Sequence, residues 1–329
     1  MEKGAFVISL DFEMMWGVKD IRTPDGYGES NIRNVYQVIP EMLKLFDRYN
    51  VKATFATVGL IMLNNKDEAI NNIPDKTPTY TDMVLSPYEN GYIEQIEKKY
   101  EDLYFAPSLV DELKKHDNIE IGTHTFCHYN CYASGQTTEQ FEADLKKALQ
   151  IANARGIEVK SIVFPRNQVT SDYLIVCQRL GIAAYRGNAE QFFTREKSLW
   201  GRIKNRLGRL LDSYVKVGVR ASYKLSDIDG KENPVNIRAS RIFRKYNKKL
   251  FFLEPLGRRR MRKEMEYAAR NNEVYHLWWH PHNFGANMEL NLSKLENILK
   301  CYKKCHEKYG MNSYTMGELS NLIKEKNEG

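Results

Sequence analysis

Short apolar runs alternate with segments of helical periodicity along most of this 329-residue chain. That alternation is typical of βα units around a parallel sheet, because a helix returns the chain to the end of the sheet where each new strand begins. Seven runs are candidate strands: residues 6–10, 51–58, 119–121, 161–164, 182–185, 274–279 and 313–315. The length is ordinary for one (β/α) barrel, so we expect a single α/β domain over residues 1–329.

Apolar residues recur at helical spacing between these runs. The predicted helices cover residues 35–49, 108–115, 138–154, 173–180, 262–269 and 292–309. Two stretches, about 60–107 and about 188–250, break the alternation. Long loops in compact domains commonly form walls or lids over a site, and we interpret both stretches as insertions on the barrel.

Composition favours a folded, soluble enzyme, since hydrophobic residues make up 42% of the chain and charged residues 28%. The apolar run near the amino terminus is too short for a signal peptide, and no run approaches the ~20 residues that span a bilayer. Five cysteines, an odd number, favour free thiols in a reducing compartment. We therefore expect a cytoplasmic protein.

The formal net charge is +7, and residues 195–209 concentrate the excess in a basic amphipathic pattern. One interpretation is a solvated helix on the barrel flank. Another is peripheral contact with an anionic membrane surface, or with the phosphates of a carrier-linked sugar. Nucleic acid is disfavoured as a partner because no nucleic-acid motif accompanies the charge.

Two histidines, His124 and His128, directly follow a predicted strand. Their spacing would place both imidazoles on one side of a helical turn, within reach of one metal ion. Asp11 and Glu13 follow the first strand two residues apart, so both carboxylates should face the same side. Mutual repulsion of two such acids is costly unless a cation or a shared proton relieves it.

Polar residues follow three further strands. His280 and His282 come after residues 274–279, Arg166 after residues 161–164, and Arg186 after residues 182–185. Barrel enzymes place their chemistry at the carboxyl ends of their strands, so we expect these groups to converge with the acids and the first histidine pair. An arginine there orients a catalytic acid, binds a substrate oxygen, or pairs with a neighbouring loop.

The motif His124-Thr125-Phe126-Cys127-His128 matches the His-[Ser/Thr]-x-x-His motif of the polysaccharide deacetylase superfamily, the NodB-homology enzymes that include carbohydrate esterase family 4. Residues 9–13 look like that family's Thr-Phe-Asp-Asp motif, with Glu13 one residue late. The sequence has Pro165-Arg166 where the family has Arg-x-Pro, and Arg186 near the position of an Asp-rich motif. The chain resembles a divergent subgroup, and the resemblance implies a distorted (β/α)7 TIM-like barrel with two long insertions.

The resemblance also implies a function, metal-dependent removal of the acetyl group from the nitrogen of an amino sugar. Glu13, His124 and His128 would hold a divalent ion, with zinc as the expected metal. Asp11 would be the base and His280 the acid, with His282 as a rival for that role. The remaining assignments are Arg166 as a catalytic residue and Arg186, Trp279 and His282 as substrate-binding residues.

Two alternatives stay open at this point. One is a metal-independent hydrolase of cyclic amides, resembling allantoinases, and the other is a carbohydrate-binding protein that has lost catalysis. The intact histidine pair speaks against the first, and the retention of both Asp11 and His280 speaks against the second. For a cytoplasmic deacetylase we expect an N-acetylated sugar linked to a nucleotide or a lipid carrier as substrate, and the sequence leaves the oligomeric state open.

Overall fold

A curled, mostly parallel sheet forms the centre of the computed structural model, which describes residues 3–188, residue 208 and residues 221–328. The sheet order is β6-β9-β1-β2-β3-β4-β5-β7, with β10 beside β1 and β8 beside β9. Within the described residues the β6–β9 pair is antiparallel and the other pairs are parallel. The strands are β1 (Ala5–Phe12), β2 (Ala53–Thr57), β3 (Ile119–Thr123), β4 (Ser161–Ile162), β5 (Ala184–Tyr185), β6 (Tyr223–Lys224), β7 (Val235–Asn236), β8 (Arg241–Ile242), β9 (Glu273–Trp279) and β10 (Asn312–Tyr314).

The segment 235–243 connects the two sides of this curled sheet. The backbone N–H of Ile237 donates to the carbonyl of Tyr185 in β5, at 2.9 Å. Further along the same segment, the N–H of Phe243 donates to the carbonyl of Trp278 in β9, at 2.8 Å. One continuous stretch therefore bridges β5 and β9, and the sheet is that of a distorted (β/α) barrel, as predicted.

The barrel differs from the prediction in where this bridging segment comes from. Residues 235–243 lie within the stretch 188–250, which we had interpreted entirely as an insertion, yet they belong to the sheet. Strands of two residues carry too little alternation to be recognised in a sequence. Conversely, the predicted strand 313–315 corresponds to β10, which within the described part of the chain pairs with residues 5–7 at the amino end of β1. The predicted basic helix 195–209 lies, apart from residue 208, outside the described residues.

Helices cover the outside of the sheet, and two of them match the predicted bounds at both ends. α1 (Val35–Tyr49) buries one apolar face, and α4 (Thr138–Ala154) begins at a capping box in which Thr137 and Gln140 satisfy each other's backbone N–H groups. None of the described helices is long and apolar enough to cross a membrane. The helices are α1 (Val35–Tyr49), α2 (Lys66–Asn71), α3 (Pro107–Leu113), α4 (Thr138–Ala154), α5 (Ser171–Arg179), α6 (Glu254–Arg270), α7 (Met288–Tyr309) and α8 (Met316–Glu328).

The stretch 60–107, predicted to be an insertion, consists of α2 and several single helical turns between β2 and α3. It packs on the connection that follows β1. The indole N–H of Trp16 donates to the carbonyl of Tyr104 at 2.8 Å, and the hydroxyl of Tyr36 donates to the carbonyls of Asp102 and Phe105. The stretch therefore supports the chain just beyond β1, where Glu13 lies.

Candidate active site

Glu13 lies one residue beyond β1 with its carboxylate buried among four imidazoles. Its Oε2 is 3.5 Å from Nε2 of His124 and 3.2 Å from Nε2 of His128. Its Oε1 is 3.6 Å from Nε2 of His280 and 3.9 Å from Nε2 of His282. The structure thus brings together the strand ends that the sequence analysis expected to converge. Burial raises the pKa of Glu13, but the charge of His280 and the interactions with the neighbouring His124 and His128 imidazoles outweigh it, and the net pKa is well below its usual range.

The space for this carboxylate depends on Gly17. A Cβ atom at residue 17 would lie 2.0 Å from Cδ of Glu13 and 2.3 Å from its Oε1. No side chain fits there beside the carboxylate, because real contacts of a Cβ atom with heavy atoms stay beyond about 3 Å. Glycine at this position therefore allows Glu13 to point toward the histidines.

The donor set of Glu13, His124 and His128 fits a metal ion. One ligand atom from each residue lies within 4.8 Å of the others. Nδ1 of His124 donates to the carbonyl of Val163 at 2.7 Å, which leaves a lone pair on Nε2. That Nε2 is buried and has no hydrogen-bond partner. A buried nitrogen without a partner costs stability, and coordination of a divalent ion would remove this cost.

The two histidines do not lie on a helical turn, contrary to our prediction. Residues 124–128 form a tight loop in which Thr125 and His128 take left-handed backbone conformations, with φ of 65° and 60°. The carboxylate of Asp144 accepts hydrogen bonds from the backbone N–H groups of Phe126, at 2.7 Å, and Cys127, at 3.1 Å. The loop is therefore shaped by a buried acid on α4, and this shape brings the imidazoles together.

Asp144 was missed by the sequence analysis, although a signal for it exists. It falls on the buried face of α4, between Phe141 and Leu145 and one turn before Ala148. An acid at an apolar position of an amphipathic helix calls for a partner in the core. Burial raises the pKa of Asp144 to about 6, against the opposing effect of hydrogen bonds from the Cys127 thiol and the two N–H groups.

Asp11 is paired with Arg186 and is not one of the three residues whose possible ligand atoms group together. Nη1 and Nη2 of the arginine donate to the two carboxylate oxygens at 2.6 and 2.8 Å. Both side chains are buried. Burial raises the pKa of Asp11, but the Arg186 charge and hydrogen bonds outweigh it, and the net pKa lies below its usual range. Asp11 is therefore ionised and held in one orientation.

Arg186 was predicted to bind substrate, but the structure places its side chain fully inside the protein, where its donors are used in contacts with other residues. Besides Asp11, it donates to Oγ of Ser9 at 3.0 Å and to Oδ1 of Asn167 at 2.9 Å. Its guanidinium lies 4.2 Å from the ring centroid of Trp278. Ser9 and Asn167, which the sequence analysis did not single out, thus complete the support of Asp11.

Arg166 lies at the rim instead, with φ of 56° and a side chain 38% exposed. Its Nη2 donates to Oδ2 of Asp20 at 2.6 Å. Of the two arginines it is Arg186 that pairs with Asp11, while Arg166 faces the cleft. The left-handed backbone turns the side chain away from the direction that the strand would have given it.

Trp279 was also predicted to bind substrate, but the structure places it away from the cleft. Its side chain is fully buried in the core, where its ring lies 6.4 Å from Phe46, 5.3 Å from Phe243 and 5.8 Å from Phe284. Neighbouring residues of a strand face opposite sides of the sheet. The tryptophan on the side of the site is therefore Trp278, which stacks on Arg186.

His280 and His282 both line the cleft but differ in exposure, at 23% and 5% of their side chains. Nδ1 of His280 accepts from the amide of Asn283 at 3.2 Å. In the neutral ring this places the proton on Nε2, which lies 3.7 Å from Oδ2 of Asp11. Burial, aided by the charge of His280, lowers the pKa of His282 to about 3, so its ring is neutral.

A cleft of about 400 Å³ opens over Glu13 and the two histidines. Tyr27, which the sequence analysis did not identify, forms part of its wall, and its ring lies 5.7 Å from that of His282. The cations Arg22 and Lys245 lie 5.2 and 5.7 Å from the centroid of the Tyr27 ring. The cleft thus combines an aromatic surface with a basic rim.

The fold and this grouping of acids and imidazoles define a barrel hydrolase with a candidate metal centre. A family model described as polysaccharide deacetylase matches residues 24–185. The family match, over just under half of the chain, supports a place in the polysaccharide deacetylase superfamily and a carbohydrate deacetylase activity. The matched range contains His124 and His128 but neither Asp11 nor Glu13, so these acids are assigned to the site by geometry alone.

Solved structures of known proteins share the fold. A protein from Mycobacterium smegmatis assigned to the polysaccharide deacetylases is 10% identical with a TM-score of 0.60, over 99% of this chain and 92% of its own. Puue allantoinase is 9% identical with a TM-score of 0.50, over 97% and 90%. A 4-alpha-glucanotransferase from Thermococcus litoralis is 12% identical with a TM-score of 0.53, over 98% of this chain and 40% of its own. No curated protein matches the sequence at a significant level.

Proposed function

We propose that this protein is a metal-dependent N-deacetylase that hydrolyses the acetamido group of an amino sugar to a free amine and acetate. The observation that carries the proposal is the unpartnered, buried Nε2 of His124 beside Glu13 and His128. A protein that only binds sugars has no use for such a nitrogen. A metal-independent hydrolase has no use for it either.

Glu13, His124 and His128 would hold the ion. Two imidazoles and one carboxylate are a typical ligand set of catalytic zinc, which makes zinc the expected metal. When bound, the ion would act as a Lewis acid toward the acyl carbonyl and the attacking water. Asp11 is a poor fourth ligand, because both of its oxygens already face the Arg186 cation.

The other groups suit proton transfer. Asp11, kept ionised by Arg186, would accept the proton of the attacking water. His280 would deliver a proton to the departing nitrogen, since it is the more exposed of the two cleft histidines and its Nε2 points toward the acids. His282 would shape the pocket together with Tyr27.

The basic residues at the rim of the cleft favour an anionic substrate. Asp20 already neutralises Arg166, which leaves the charges of Arg22 and Lys245 beside the cleft. Phosphate groups of a nucleotide-linked or lipid-carrier-linked sugar would match these charges. The Tyr27 ring offers a face on which a sugar ring could stack.

Acetate release from purified protein tests the proposal. The substrates would be N-acetylated chito-oligosaccharides and nucleotide-linked N-acetyl amino sugars, each assayed after chelation and again after zinc is restored. We expect turnover that is lost on chelation, returns with zinc, and is absent in Asp11→Asn. Turnover of a cyclic amide by metal-free protein would instead support the allantoinase-like alternative, and sugar binding without turnover would support a binding protein.

A further inference from the structure

Two adjacent phenylalanines project from the protein just before α6. The side chains of Phe251 and Phe252 are each 62% exposed, and Leu256, in the first turn of the helix, is 44% exposed. The two phenyl rings contact each other edge to face, with centroids 6.0 Å apart. Large apolar side chains that cluster on a surface mark a contact with another molecule or a membrane.

The surroundings of these rings are strongly basic. Nine of the twenty residues 244–263 are Lys or Arg, and one is acidic. The acid, Glu254, is buried and paired with Lys294 at 2.7 Å, so it contributes little negative charge to the surface. Lys248, Lys249 and Arg259 are exposed on either side of the rings.

The position of these residues follows from the topology of the barrel. β8 runs parallel to β9, whose carboxyl end leads directly to His280. The chain that follows β8 therefore starts at the rim of the active site, and Lys245 on this stretch lines the cleft. Phe251 comes six residues later. α6 must then run back from the rim, because it leads into the amino end of β9.

We propose that Lys248, Lys249, Phe251, Phe252, Leu256 and Arg259, here called the Phe251 patch, dock the protein on an anionic phospholipid bilayer. Aromatic side chains insert at the boundary between headgroups and acyl chains, and flanking cations bind anionic headgroups. A second copy of this chain is a poor occupant, since a twofold contact would bring two basic surfaces together. Docking would hold the mouth of the cleft beside the lipid surface.

Vesicle co-sedimentation tests the proposal with the full chain. One set of vesicles contains phosphatidylcholine alone, and the other contains phosphatidylcholine mixed with phosphatidylglycerol. We expect binding to the mixed vesicles that weakens with salt, and little binding to the neutral ones. Phe251→Ser with Phe252→Ser, and separately Lys248→Glu with Lys249→Glu, should each weaken binding at least about tenfold. Ile175→Ser, at an apolar position on α5 that is 57% exposed, should leave binding unchanged.

Equal binding to both vesicle types would overturn the proposal, as would mixed-vesicle binding that neither double variant alters. Light scattering without lipid is the second measurement, because a dimer abolished by the phenylalanine changes would make the patch a self-association surface. If those changes impair folding, the charge reversals at exposed lysines carry the same test. Turnover of a soluble substrate should be unaffected by either double variant, which separates this proposal from the proposed function.

Discussion

The guanidinium of Arg186 binds both carboxylate oxygens of Asp11, at 2.6 and 2.8 Å, and both side chains are buried. The two residues lie 175 positions apart in the sequence: Asp11 is near the end of β1, and Arg186 directly follows β5. A bidentate pair fixes the carboxylate in one plane, which a point charge could not do. Arg186 is thus a positioning residue, acting on chemistry through Asp11.

Replacing Arg186 by Lys should lower kcat about a hundredfold and change KM little, because the charge stays near Asp11 but the orientation of its carboxylate is lost. The acidic limb of the pH profile should also move to higher pH, since a less tightly paired Asp11 has a higher pKa. The matched control is Arg166→Lys at the rim of the cleft, which should change KM rather than kcat. If both variants show the same loss of kcat and neither shifts the pH profile, Arg186 does not act by positioning Asp11.

Glu13→Gln should abolish stoichiometric zinc binding, because the amide keeps the shape but loses the anionic oxygen that balances the ion's charge. Elemental analysis after zinc loading and dialysis measures this without any assay of activity. Asp20→Asn removes a second acid from the same cleft and should retain about one zinc per chain. If both variants retain zinc equally, the metal does not bind at Glu13.

Replacing His280 and replacing His282, the two histidines of the cleft, should change different kinetic constants. His280→Gln should reduce kcat by about a hundredfold while zinc stays bound, since general acid catalysis typically contributes that much. His282→Gln should chiefly alter KM, because its buried ring packs on Tyr27 and stays neutral. Steady-state kinetics with a soluble N-acetylated substrate distinguish them, and a larger loss of kcat in the His282 variant would reverse the assignment.

Much of this site could be predicted because parallel strands end at one edge of a sheet. Asp11, Glu13 and the first histidine pair meet for that reason, whatever the details of the loops. The bounds of α1 and α4 were also predictable, since each carries a continuous apolar stripe and α4 has a capping box.

The choice between neighbouring residues could not be predicted. Trp278 and Trp279 are the same residue type on opposite faces of β9, and the sequence does not say which face meets the site. Arg166 and Arg186 both follow strands, but a left-handed backbone turns Arg166 to the rim. Such local conformations depend on tertiary hydrogen bonds, like those that Asp144 makes to the loop between the two histidines.

Asp144 gives a prediction about stability and pH. Its pKa rises from 3.8 to about 6 on folding, so the folded state binds the proton more tightly. The contribution of Asp144 to the free energy of unfolding is therefore largest below about pH 4. It falls by about 3 kcal/mol as the pH rises to about 6. Urea unfolding of metal-free wild type and Asp144→Asn measures the effect as a difference, in which other titrating groups cancel. A difference that stays constant from pH 4 to pH 7 would contradict it.

Gly17→Ala tests whether the metal site depends on the space beside Glu13. The added Cβ would lie 2.0 Å from Cδ of Glu13, so the carboxylate must move away from His124 and His128. Zinc affinity should fall at least about tenfold, since coordination tolerates only small changes in ligand distance. The control is Gly26→Ala on the neighbouring segment, where the new Cβ would meet only Oγ1 of Thr23 at 3.2 Å and zinc affinity should be unchanged. Competition with a chromogenic chelator measures both variants, and unaltered affinity in Gly17→Ala would show that Glu13 is not a ligand in the orientation described.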